Sequence, residues 1–146
     1  MTSTRRVLRV VGVPTFALAL LAAQGPPTPA ALISGTWHGT SSCLDRIVDR
    51  ACRDEEVVYK VDSAAGPRGP VSIRADKVVN GVPQPMGVFR LNYDSTSASW
   101  FVEFSTSRFR GRWTYEVHDS VMVGRLSELP SQRLIRRVAV HRVSAR

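Results

Sequence analysis

The chain has 146 residues and a formal charge of +8, from 20 Lys+Arg against 12 Asp+Glu. That length suits one domain, and 43% apolar with 22% charged residues excludes collagen-like and disordered classes. Two cysteines are too few for a disulfide scaffold or for a zinc site built from cysteine alone.

The first element reads as an export signal. Arg5, Arg6 and Arg9 form a positive start, and residues 10–23 (VVGVPTFALALLAA) are a 14-residue apolar run ending in small residues. This order matches a cleavable signal peptide over 1–23, and the run is short for a membrane span, which needs about 20 apolar residues. Residues 4–8 (TRRVL) also resemble the twin-arginine export motif, so two export routes stay open, with an uncleaved anchor as the alternative. Either way the domain is expected outside the cytoplasm, touching membrane only through this segment. Residues 24–31 (QGPPTPAA) hold three prolines, which fix φ and remove donors, and read as a Pro-rich linker. The domain is expected over 32–146.

From residue 32 onward no clean 3.6-residue period appears, and the pattern is one of short strands broken by turns. Strands are predicted at 32–40, 56–61, 71–79, 86–93, 100–104, 109–117, 121–126 and 133–143. Asn80-Gly81 between the third and fourth is a strong hairpin signal, because both residues tolerate φ > 0. The sixth alternates cleanly: Phe109, Gly111, Trp113, Tyr115 and Val117 share one face, and Arg110, Arg112, Thr114 and Glu116 the other. Around the eighth the charge becomes local, since residues 125–146 hold six arginines against Glu128 alone. Only two of the 20 basic residues are lysine, a compositional bias rather than a phosphate-binding surface, so nucleic acid is not an expected partner.

Eight short strands point to an all-β fold, an eight-stranded antiparallel up-and-down barrel, with a sandwich as the rival. Closure also removes the exposed edges of an open sheet. The inward face is rich in aromatics and valine and is expected to carry little charge.

A resemblance begins at the first strand. Ser34-Gly35-Thr36-Trp37-His38-Gly39 places Gly35-x-Trp37 at its opening, and Arg136 or Arg137 lies on the last strand. Together these resemble the calycin superfamily, the lipocalins and their small relatives. The resemblance implies a calycin-like barrel in which Trp37 closes one end, an arginine (Arg136 or Arg137) packs over its indole, and an apolar small molecule is bound. A guanidinium stacks well on an indole face.

Cys43 and Cys52, nine positions apart, are expected to form one disulfide in an exported chain. Ile47 and Val48 between them are placed to cap the barrel mouth beside Trp37. Asp45, Asp49, Asp54, Glu55 and Glu56 interleave there with Arg46, Arg50 and Arg53, as in a solvated, salt-bridged loop. His38, His118 and His141 read as surface residues, although His141 on the last strand approaches His38 on the first if the barrel closes. No metal site and no cofactor are expected. No nucleophile elbow, zinc-binding helix motif or phosphate loop is present, and the chain is not expected to be an enzyme.

The leading expectation is an exported, lipocalin-like barrel binding a hydrophobic small molecule through Trp37, Trp100, Phe104, Phe109, Trp113 and Tyr115. The alternatives are a periplasmic or secreted protease or lysozyme inhibitor, and a structural envelope protein. An inhibitor would meet its extracytoplasmic protein target through 24–31, 67–70 or 82–85.

Overall fold

A computed structural model describes residues 25–47, 50–63 and 66–144, so the expected signal peptide at 1–23 lies outside the described residues. Eight antiparallel strands follow one short helix: α1 (Pro29–Ile33), β1 (Gly35–Cys43), β2 (Glu55–Ser63), β3 (Val71–Val79), β4 (Val82–Asp94), β5 (Ser99–Ser105), β6 (Arg110–His118), β7 (Val121–Glu128) and β8 (Leu134–Ser144). Each strand pairs with its neighbours in sequence, and β8 returns to β1, closing an up-and-down barrel. The predicted barrel is the observed one.

Alternation builds the core. Trp37, Val57, Tyr59, Val61, Ile73, Leu91, Trp113, Tyr115, Met122, Val138 and Val140 point inward and are buried in one cluster. Each fully buried Val, Leu, Ile or Met stabilises the fold by about 1.5–3 kcal/mol through removal of apolar surface from water. At the β3–β4 turn Asn80 and Gly81 take φ of 52° and 79°, the two successive positive values that a tight hairpin of this twist requires.

The supposed linker is shorter than expected. Thr28 accepts a hydrogen bond from the Ala31 N–H at 3.2 Å, and Pro29 begins α1, whose Ala30 and Ile33 are buried. An N-cap threonine followed by proline is preorganised to start a helix, and the alanines supply a small face to bury. Residues 29–31 therefore belong to the domain. The Ala30 N–H also donates to Pro67 O at 3.1 Å, tying α1 to the β2–β3 loop. Residues 82–85, the other loop expected from sequence, lie in β4.

β1 and β8 approach closely. Gly39 stands opposite Val140, and a Cβ on Gly39 would lie 2.2 Å from Ala139 O and 2.8 Å from Val140 Cα. The β4–β5 pairing is brief by contrast. Only Asn92–Asp94 and Ser99–Phe101 are in register, and β4 runs back ten residues further without a partner on that side. Across this seam the rings of Phe89 and Phe104 meet at 6.2 Å.

Candidate ligand-binding site

The two ends of the barrel differ. At one end, α1 and Trp37 close it. The Trp37 indole N–H donates to Ile33 O at 2.9 Å, and its ring is fully buried. The cation over that ring is Arg142, with its guanidinium carbon 4.1 Å from the ring centroid. Arg142 also donates to the carbonyls of Leu32 and Ser34. This corrects the expectation of Arg136 or Arg137. Register supplies the reason: Trp37 stands opposite Arg142, whereas Arg136 and Arg137 stand opposite Cys43 and Ser42 at the far end of β1. Gly35, at φ 123°, sits against Arg142 Nη1 and Ser144 O, where a Cβ would meet them at 3.0 and 2.6 Å. Partial burial of Arg142 lowers its pKa from the usual arginine value.

The other end is open. A cavity of about 680 Å³ is walled by Phe104, Phe109, Leu126 and Ile135, with Ile47, Arg50, Ala51, Arg108 and Arg136 around it. A second chamber of about 180 Å³ includes Tyr59, Phe89, Trp113 and Tyr115, and Arg136 borders both. Four of the six aromatics expected to touch a ligand thus line space. Trp37 and Trp100 do not: Trp37 is the plug of the closed end, and Trp100 is buried against Tyr93 at 4.9 Å between ring centroids.

The disulfide loop shapes the mouth. Cys43 and Cys52 are bonded, with their Cα atoms 5.8 Å apart. Leu44 and Asp45 N–H groups both reach Ile135 O, at 2.8 and 3.3 Å, which holds the loop against β8. Ile47 lies at the tip, 88% exposed, and borders the cavity. It stands at the end away from Trp37, not beside it, because β1 crosses the whole barrel between them. Val48 lies outside the described residues.

The interior also holds charge, contrary to expectation. Arg136 is 14% exposed and pairs with Glu55 at 3.1 Å, while donating to Ser41 Oγ, Ser41 O and Arg53 O. Arg136 shares its parity on β8 with the inward Val138 and Val140, so strand alternation carries it to the inner face, opposite Leu126 and just before the register shift to Ser127. Deeper in, Tyr59 and Tyr115 meet edge to face at 6.2 Å, with the Tyr115 hydroxyl donating to Tyr59. Burial pushes the Tyr59 hydroxyl up to about 12, against the lowering effect of Arg136, and raises Tyr115 well above the ordinary tyrosine value. The chamber therefore offers neutral phenols at any physiological pH. A half-buried Arg–Glu pair and two buried phenols give a polar strip inside an otherwise apolar wall.

His38 and His141 are cross-strand neighbours on the outside, and His38 Nε2 lies 2.6 Å from Glu56 Oε1. Among the described residues no group of three His, Cys, Asp or Glu side chains stands together as a metal site would require. No helix of the described residues is long and apolar enough to cross a membrane.

These features define a class: a small, disulfide-clipped, eight-stranded antiparallel barrel consistent with a lipocalin-like fold, plugged at one end and open at the other. No family model matches the chain, and neither a curated protein nor a solved structure matches it.

Proposed function

We propose that the protein is an exported, calycin-like barrel that binds a hydrophobic small molecule at its open end. The observation that carries this reading is the cavity of about 680 Å³ walled by Phe104, Phe109, Leu126 and Ile135. That volume falls within the roughly 300–1,000 Å³ of small-molecule sites, and an apolar wall with a few polar groups is their usual composition. Export is supported by the arginine-led apolar run at 1–23 and by the disulfide, which persists best outside a reducing cytoplasm. The role in this reading is binding, not catalysis.

Trp113 lies in the inner chamber and makes a natural reporter. Long-chain fatty acids, isoprenoids and haem titrated into the purified protein should include a compound that saturably changes tryptophan fluorescence. Affinity should be micromolar or tighter, about −8 kcal/mol or better, and Phe109→Ala should weaken it. Silence across the panel by both fluorescence and calorimetry would overturn the reading.

A further inference from the structure

Among the described residues, the charges that line the open cavity are of one sign. Three arginines, Arg50, Arg108 and Arg136, line it, and no carboxylate of those residues does. Arg136 is spoken for, since Glu55 neutralises it and its donors are turned to Ser41 and Arg53. Arg50 and Arg108 differ. They come from two separate loops that border the cavity, β1–β2 and β5–β6, they are exposed, and no carboxylate among the described residues is within ion-pair distance of either. The acids nearest in sequence to Arg108 are engaged elsewhere: Glu103 holds Arg110 and Arg112, at 3.2 and 3.5 Å. Asp45 and Glu128, on the other mouth loops, hold Arg133 at 3.4 and 3.0 Å.

From this arrangement we infer that the ligand is a single-chain amphiphile with an anionic head, a carboxylate or a phosphate monoester, lying with its tail among Phe104, Phe109, Leu126 and Ile135 and its head between Arg50 and Arg108. The inference rests on the small-molecule reading above and narrows it. Guanidinium groups fork onto carboxylate and phosphate oxygens through paired N–H donors, and at the lip of an apolar cavity such contacts are less screened than on open surface. A neutral head would gain no charge-assisted contact from the two guanidinium groups, and a cationic head would meet two like charges. The ligand class therefore follows from the sign at the rim, and the apolar wall sets only the tail.

The test compares four twelve-carbon ligands below their micellar concentrations: laurate, dodecyl phosphate, dodecanol and dodecyltrimethylammonium. Each is titrated into the full, disulfide-bonded protein and followed by calorimetry and tryptophan fluorescence. Laurate, dodecyl phosphate or both should bind at least tenfold tighter than dodecanol, and dodecyltrimethylammonium weakest. The double variant Arg50→Ala/Arg108→Ala should lose at least tenfold for the anions while leaving dodecanol unchanged. Its unfolding midpoint, measured alongside, checks that the barrel is intact, and Arg50→Lys/Arg108→Lys should recover part of the lost affinity. Laurate against dodecyl phosphate separates the two head chemistries. Equal binding of dodecanol and the anions, or anion affinity unmoved by the double variant, would overturn the headgroup assignment and leave the apolar site standing. Failure of all four to bind would overturn the headgroup assignment, while the small-molecule reading is decided by the wider panel of fatty acids, isoprenoids and haem.

Discussion

Arg142 illustrates how one residue can hold several parts of a molecule together. Its guanidinium lies on Trp37, and its N–H groups reach the carbonyls of Leu32, in the last turn of α1, and of Ser34, just after it. A single side chain from the last strand thus ties the first strand and the opening helix to one end of the barrel. Trp37→Ala removes a large, fully buried aromatic and should cost on the order of 3–5 kcal/mol in chemical denaturation. Arg142→Ala should cost about 1–2 kcal/mol, from the lost stacking and the lost charged hydrogen bonds. Arg137→Ala, on the exposed outer face, should fall within about 0.5 kcal/mol of the parent. Equal losses for Arg137 and Arg142 would contradict the stacking assigned here. The tryptophan was legible in the sequence, from Gly35-x-Trp37 at the head of a strand-only chain. The choice of arginine was not, because it depends on register across β1 and β8, and register is broken between Thr36 and Trp37.

At the scale of elements, the β1–β8 junction is where the sheet becomes a barrel. Gly39 permits it, since any side chain there would strike backbone atoms of Ala139 and Val140 that cannot swing aside. Gly39→Ala should therefore destabilise the fold by more than about 2 kcal/mol, an overpacking cost at the upper part of its usual range. Gly81→Ala, where space is open but φ is positive, should cost less, about 1 kcal/mol. Urea titration of the two variants checks the order, and a Gly39→Ala variant as stable as the parent would mean that β8 is not seated on β1. The strands themselves were readable from alternation, with ends wrong by a few residues. β4 was the largest miss. Its first four residues, 82–85, carry two prolines that read as loop, yet Pro83 and Pro85 pair with Val78 and Asp76. Proline is compatible with a strand when its nitrogen faces away from the partner, a condition invisible without the neighbouring strand. α1 was missed despite a usable signal, the Thr28–Pro29 pair.

The whole molecule has a titration limit built into its interior. Tyr59 has its hydroxyl raised to about 12 by burial, above the roughly 10 of an unfolded tyrosine, and burial raises Tyr115 well above the ordinary tyrosine value too. Because the folded value is the higher one, the neutral phenol's contribution is fully present below pH about 10 and is lost as pH climbs toward the folded value. Thermal midpoints should be level from pH 7 to about 10 and fall beyond it. The fall should be shallower in Tyr59→Phe/Tyr115→Phe. An unchanged alkaline fall in that variant would place its cause elsewhere. The candidate site was half legible at this scale. Phe104, Phe109, Trp113 and Tyr115 were found by alternation, because a cavity wall obeys the same inward rule as a core. Arg50 and Arg108 were not, since loops have no period and only closure of the barrel brings them to one rim.

The short pairing of β4 with β5 has a consequence for self-association. The first half of β4 presents a backbone edge that no strand of the described residues covers, and Val82 and Val88 beside it are exposed. Such an edge is a template on which another chain can add a strand. Pro83 and Pro85, paired on the other side with Val78 and Asp76, carry no backbone N–H, so neither can donate to an added strand. An incoming strand would find only part of a ladder there, and the same prolines that disguise the strand in the sequence make the tip of the open seam a poorer template for a second molecule.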